Sequence, residues 1–353
     1  MKSYNALYPD QLAYAFGGAC ISGKIRTIPE DFQVDEVPGF IPDGKGDHVY
    51  LKIRKTGLTT NAVARKLRDF CKVQSRDVGY AGMKDKHAVT TQTLSINLAG
   101  IHEPDWSELE SDSINVIEIS RHPRKLKRGV LKGNRFKLVI RELEGSLECV
   151  EQRLQQIKIQ GVPNYFGVQR FGNEGANIDK AWRLFNEPGM RVKRDERSIL
   201  FSSVRSMLFN AVLCERVKQE NWSQLLEGEV INLDGTERHF LEAVDEVLIK
   251  RASELDVHPT GPLPGIDSRA IRPAAVAGEI ETAVLNQYQE WFAGLENFRL
   301  EHARRALRIA VRNLEWHFNG NALTLAFDLT SGAYATVVLR EFLNEKLEYQ
   351  APA

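Results

Sequence analysis

Strand-like alternation occupies both ends of this chain of 353 residues and is missing from its middle. Val49, Leu51 and Ile53 alternate with polar neighbours, the period of a half-buried strand. Residues 114–119 (INVIEI) and 136–140 (FKLVI) repeat the pattern, and Leu323, Leu325 and Phe327 restore it near the C-terminus. Pro38-Gly39 and Pro42-Asp43-Gly44 punctuate the strand-like stretches of residues 24–55. Val78 and Tyr80 predict a short strand leading into Gly82, and Leu94 and Ile96 another leading out. Helices are expected after Thr59-Thr60, with Thr60 as N-cap and Val63, Leu67 and Phe70 on one face. A second helix carries Val150, Leu154 and Ile157 and ends at Gly161-Val-Pro163, because proline cannot continue the ladder. A third is expected after Gly332, over AYATVVLREFLNEKL. The middle reads differently. Val204, Leu208, Val212 and Val217 predict a helix over 203–219; residues 254–273, rich in Pro and Gly, predict an irregular loop; 275–311 reads as helix in one or two pieces. Such an order, β/α, then mostly helical and irregular, then β/α, implies an insertion into one domain. Length agrees, since domains average roughly 150 residues.

Hydrophobic residues make up 42% of the chain and charged residues 27%, which predicts a soluble globular protein. The 47 Lys+Arg balance the 47 Asp+Glu, which excludes a uniformly basic nucleic-acid binder but not a local basic patch. Cys20, Cys71, Cys149 and Cys214 are dispersed, with no Cys-x-x-Cys pair, so neither a zinc knuckle nor a redox dithiol is indicated. Scattered thiols fit a reducing cytoplasm. The opening MKSYNALYPDQLAYAF does not read as a signal peptide, and no apolar run approaches the ~20 residues that span a bilayer. A cytoplasmic location is expected. Dinucleotide-binding, Walker A, zinc-protease and serine-hydrolase motifs do not occur.

Two stretches carry candidate chemistry. Residues 121–141, RHPRKLKRGVLKGNRFKLVIR, hold nine Lys and Arg and no acid. With turns at Gly129 and Gly133, the run reads as hairpin-like, and its concentration of charge favours phosphate binding over a solvated face. Arg124, Lys125, Lys127 and Arg128 are its candidate phosphate contacts. The second stretch is GYAGMKDKHAVTTQ, residues 79–92, which sets Asp85 between Lys84 and Lys86 in a loop between strands. Nearby cations favour an ionised, nucleophilic carboxylate. In an extended segment, however, both lysines point away from Asp85, so a phosphate-holding role is expected for Lys84 and Lys86. By composition alone, a Lys-Asp-Lys loop is usually a surface turn.

GMKDKHAVTTQ resembles the signature of the TruD family of tRNA pseudouridine synthases. So do PEDFQVDE at 29–36, KGNRFKLVIR at 132–141, GVPNYFGVQRFG at 161–172 and SGAYATVVLRE at 331–341, in order along nearly the whole chain. The resemblance implies an α/β (α+β) pseudouridine-synthase fold with a mixed, largely antiparallel sheet. It implies a catalytic domain of residues 1–160 and 306–353, and a family-specific inserted domain of 161–305. It further implies isomerisation of uridine 13 in certain tRNAs, with tRNA the partner and no membrane or protein partner. No cofactor and no metal are expected, because atoms are only rearranged. Asp85 matches the catalytic aspartate, which attacks C6 of the base or assists cleavage at C1′; both routes stay open.

The remaining site residues follow from the same resemblance. Phe136 falls where the family sets a ring against the extruded base, and Phe32 and Tyr334 match two further substrate-contacting aromatics, with Tyr334 in place of an expected phenylalanine. Asn134 matches a base- or ribose-contacting amide, and Arg26 a basic residue beside the carboxylate. By pattern alone, Phe32 and Phe136 read as core. Asn164, Tyr165, Phe166, Gln169, Arg170 and Phe171 read either as a structural hinge or as substrate contacts. Two other functions compete: a catalytically idle RNA-binding or tRNA-folding module on the same scaffold, and a small-molecule lyase or hydrolase using Asp85 and His87.

Overall fold

The structure is a computed structural model that describes residues 11–266 and 271–345. The readings made for residues 1–10, for 267–270 of the expected loop and for 346–347 of the last expected helix lie outside the described residues. In chain order the strands are β1 (Ile21–Lys24), β2 (Phe32–Pro38), β3 (His48–Thr56), β4 (Val78–Tyr80), β5 (Val89–Asn97), β6 (Ile114–His122), β7 (Leu131–Gly145), β8 (Val162–Pro163), β9 (Val230–Leu233), β10 (His239–Leu241), β11 (Val257–Leu263), β12 (Ala303–Ala306), β13 (Arg308–Ile309), β14 (Arg312–Asn319), β15 (Ala322–Thr330) and β16 (Leu343–Glu345). The helices are α1 (Thr60–Phe70), α2 (Leu147–Gln160), α3 (Ala176–Asn186), α4 (Arg194–Lys218), α5 (Glu246–Ser253), α6 (Ala275–Leu285), α7 (Gln289–Asn297) and α8 (Ala335–Leu339).

The chain forms two compact units, one of Cys20–Leu147, Val311–Ala335 and Leu343–Ala353, the other of Met1–Ala19, Glu148–Ala310 and Thr336–Phe342. The divisions expected at 160/161 and 305/306 fall elsewhere. Helix α2 goes with the second unit, and so do two further pieces. Residues 306–310 join it because β13 pairs with β8 and β12 with β11. Residues 336–342 join it because Glu341 accepts from the N–H of Ala15 at 2.9 Å, while Arg340 donates to Leu12 O at 2.9 Å. Pairing demands of main-chain polar groups, invisible to composition, set these boundaries.

The first unit is a ten-stranded sheet with the path β14-β15-β7-β2-β5-β3-β6, to which β1, β16 and β4 attach. β2 runs parallel to β5 and β1 parallel to β16, while the other pairs are antiparallel, so the sheet is mixed and largely antiparallel. Helix α1 packs Val63 and Leu67 on Val49, Leu51, Ile53, Leu94 and Ile96, giving one core. The helix is capped by Thr59, whose hydroxyl accepts from Ala62 N at 3.1 Å, not by Thr60 as expected. Thr60 is instead wholly buried and serves the Asp85 loop described below.

Two expectations fail on strand order. β6 and β7 are not a hairpin: β3, β5 and β2 lie between them. Residues 123–130 therefore cross the sheet. Leu126 N donates to Ser95 Oγ at 2.9 Å, Gly129 N to Ala81 O at 2.8 Å, and Tyr50 Oη to Arg124 O at 2.8 Å. Gly79 lets the crossing pass, since a Cβ there would stand 2.4 Å from Leu126 O. After Gly332 the described residues form the short α8 and then β16, because Ile21 to Gly23 take up Leu343 to Glu345 as a parallel ladder.

In the second unit α4 is a central helix of 25 residues, with Val204, Leu208, Phe209 and Leu213 sealed among Tyr165, Phe166, Leu200, Trp291 and Leu307. Residues 257–263 are a buried strand, not the expected loop, flanked by β9 and β12. A strand buried on both faces shows no alternation, and Pro259 and Pro262 disguised it further. Likewise 303–309 forms β12 and β13, so the expected helical stretch ends with α7.

Candidate active site

Strand register decides which side chains share a face. Val34 on β2 stands opposite Phe136 on β7 and Thr90 on β5, and Glu36 opposite Asn134. On β15, Phe327 stands opposite Phe136 and Leu329 opposite Asn134. Because side chains alternate along a strand, Phe32, Val34, Glu36, Asn134, Phe136, Phe327 and Leu329 lie on one face, as do Thr90 and Gln92. Phe136 stacks on Phe327 with ring centroids 5.4 Å apart and meets Phe32 edge-on at 6.4 Å. Both Phe32 and Phe136 are buried, as the core reading of them required. The amide oxygen of Asn134 is buried with no hydrogen-bond partner among the described residues, a spare acceptor on that face.

Asp85 sits in the loop between β4 and β5. Its Oδ2 lies 3.3 Å from Arg26 Nη2, and Oδ1 accepts the main-chain N–H of His87 at 3.2 Å. The second bond is the local turn that aspartates favour. Arg26 follows β1 with a φ of 58°, in the left-handed region, and holds its guanidinium 4.1 Å from the centre of the Phe32 ring. The pair is partly exposed, at 28% for Arg26 and 39% for Asp85, so a substrate can reach the carboxylate. The imidazole of His87 is exposed and meets Asp85 only through the main chain, which gives no support to an Asp–His dyad.

The two flanking lysines part company. Lys86 is exposed. Lys84 is not the phosphate contact expected of it: its ammonium lies 3.0 Å from Glu36 Oε2, with side-chain exposures of 6% and 3%. Lys84 N also donates to Thr60 Oγ1 at 2.8 Å, and that hydroxyl donates to Gln92 Oε1 at 2.8 Å. The loop is thus stitched to β2, α1 and β5 on either side of a reachable aspartate.

In the basic run, Arg124 and Lys127 are exposed on the crossing segment. Lys125 donates to Arg76 O at 2.6 Å, and Arg128 to Tyr80 Oη at 3.0 Å, 5.4 Å over that ring. Tyr334 is 47% exposed after β15, and among the described residues no hydrogen bond or ring contact joins it to the Asp85 group. In the 161–172 motif, Tyr165, Phe166 and Phe171 are core of the second unit. Asn210 brackets Phe166, accepting its N–H at 2.9 Å and donating to its carbonyl at 3.0 Å. Asn164 donates to Ala306 O at 2.7 Å, Arg170 donates to Ser202 Oγ at 3.1 Å, and Gln169 is exposed. Structural work accounts for the buried members of that motif.

Sequence reading missed Glu36, Thr60 and Gln92 as anchors of the loop, and it missed Lys55. Lys55 is 1% exposed, and its ammonium donates to the carbonyls of Leu58 at 2.5 Å and Asp85 at 2.8 Å. Burial lowers its pKa to about 8, with Asp85 favouring the charge and Lys84 opposing it. A signal was present: Lys55 continues the inward series Val49, Leu51, Ile53.

The mixed sheet that carries this site belongs to a fold that recurs in a solved structure. The solved structure of a Methanosarcina mazei protein assigned as tRNA pseudouridine synthase D superposes with a TM-score of 0.70, over 94% of this chain and 95% of that one, at 21% identity. The fold is that of the pseudouridine synthases. Residues 10–179 and 186–342 match the family described as tRNA pseudouridine synthase D (TruD). The tRNA pseudouridine synthase D of Methylococcus capsulatus is 46% identical over 336 residues, 95% of this chain and 94% of that protein. That of Hydrogenovibrio crunogenus is 39% identical over 346 residues, 98% and 99%. The chain belongs to the tRNA pseudouridine synthase D family.

Proposed function

We propose that the protein isomerises uridine to pseudouridine in transfer RNA, at position 13 of certain tRNAs, with Asp85 as nucleophile. The reaction breaks the bond between ribose C1′ and uracil N1, turns the base and joins C1′ to C5, where a hydrogen is released. The observation that carries this reading is the Arg26–Asp85 pair at 3.3 Å, with the same guanidinium over Phe32. The guanidinium orients the carboxylate through a charge-assisted contact. The target uridine must leave its stack to be turned, and such enzymes hold the flipped base against flat or apolar surfaces. Phe136 and Phe32 supply rings on the right face, and the unpartnered Asn134 oxygen supplies an acceptor for a base or ribose donor. Arg124 and Lys127, with Lys86, contact tRNA phosphates.

Tyr334, in the turn before α8, supplies a further aromatic contact once RNA is bound. The unit of residues 20–147, 311–335 and 343–353 performs the chemistry, and the other contributes recognition of the tRNA. Activity on tRNA implies a cytoplasmic location; no helix among the described residues is long and apolar enough to cross a membrane. The test is incubation with a tRNA transcript carrying tritium at uridine C5. Tritium release with pseudouridine at position 13 is expected. Binding without release would leave an idle RNA-binding module, and release from another position would overturn the site assignment.

A further inference from the structure

We propose that Lys55 is a positioning residue for the reaction at Asp85, its buried ammonium holding the aspartate's own main chain in place. The inference rests on Asp85 as nucleophile. Lys55 stands near the end of β3, opposite Thr90 and so on the face that carries Phe32, Asn134 and Phe136, and is 1% exposed. Its partners are two carbonyls, Leu58 O at 2.5 Å in the turn before α1 and Asp85 O at 2.8 Å. A buried ammonium ordinarily requires a carboxylate. Among the described residues Lys55 has no ion pair; the nearby buried carboxylate, Glu36, is taken by Lys84.

For the fold alone, an apolar residue at this position would be the cheaper choice. What the ammonium adds is a charge-assisted bond to the carbonyl of Asp85 itself. That bond restrains the Asp85 backbone, and with it the direction in which the carboxylate leaves the loop. The titratable groups acting on Lys55 are Asp85, which favours its charge, and Lys84, which opposes it; Arg26 and Glu36 neutralise those two in turn. Burial leaves the ammonium with a pKa of about 8. Its charge is therefore complete below that pH and is lost as pH rises through it.

The test uses the full-length protein and a uridine-containing tRNA transcript. Lys55→Met keeps the stem and removes the donors. KM should stay within about twofold and kcat should fall on the order of a hundredfold, the scale set by a misplacement of 1 Å. A folded Lys55→Met protein with kcat within threefold of the parent overturns the proposal. Should that variant fail to fold, the pH profile decides. Parent kcat should decline as pH rises through about 8. In Lys55→Arg, whose guanidinium keeps its proton, the decline should move up by more than a unit. A parent profile flat through this range, or one unmoved in Lys55→Arg, also overturns it. Asp85→Asn run in parallel separates the two claims. Turnover by Asp85→Asn sinks the nucleophile assignment, whereas an inactive Asp85→Asn beside a fully active Lys55→Met sinks only the role of Lys55.

Discussion

Lys84 and Glu36 form an ion pair of 3.0 Å in which the two side chains are 6% and 3% exposed. They are 48 residues apart in sequence, and the pair ties the residue before Asp85 to β2. Removing one partner of a buried pair leaves an uncompensated charge, which typically costs about 3–5 kcal/mol. Lys84→Met should therefore destabilise the protein by about that much, as read by urea unfolding. Glu36→Leu combined with Lys84→Met should recover most of the loss. If the single variant is as stable as the parent, the pair is not formed in solution.

Asp85→Asn should abolish isomerisation while leaving the melting temperature and tRNA affinity close to those of the parent. The amide has nearly the shape of the carboxylate and still accepts the His87 N–H, but it is neither nucleophile nor base. Tritium release measures the first effect, and filter binding the second. Appreciable release by a folded variant would remove the central claim.

Phe136→Leu is expected to lower turnover by about ten- to a hundredfold, in line with the roughly 1–3 kcal/mol of stacking on a base. Phe136 also stacks on Phe327, and losing an aromatic pair costs about 0.5–1.5 kcal/mol of stability. Affinity for tRNA should change little, because phosphate contacts persist. Normal turnover in a variant several kilocalories less stable would make Phe136 purely core.

Arg124→Ala with Lys127→Ala should weaken tRNA binding and flatten the slope of log affinity against log salt. For duplex-like RNA, by analogy with DNA, each lost phosphate contact changes the slope by roughly 0.9. Both side chains are exposed on the segment crossing the sheet, so stability should be unaffected. An unaltered slope would reduce the run to a solvated face.

Local periodicity made much of this architecture legible. The inward series Val49, Leu51, Ile53 marked β3, the row Val63, Leu67, Phe70 marked α1, and the two patterned ends marked an interrupted domain. Five ordered motifs marked the family and singled out Asp85. Periodicity failed at β11, which is buried on both faces and so has no polar side to reveal it. It also failed where neighbours are chosen at a distance. The basic run reads as a hairpin until β3, β5 and β2 are seen to part β6 from β7.

The amino-acid sequence by itself determined which segments alternate, where the chain turns and which carboxylate stands in a Lys-Asp-Lys loop. Only the tertiary structure decided what each charge does there. Lys84, expected to hold phosphate, is held by Glu36, and Arg26, which only the family resemblance set beside the carboxylate, meets Asp85. Lys55, one more polar residue at a strand end, is sealed against the carbonyl of Asp85. The reason is physical. Strand and helix patterns come from contacts a few residues apart, written along the chain. A buried charge takes whichever partner the strand order brings within about 3 Å, and strand order is a property of the whole sheet.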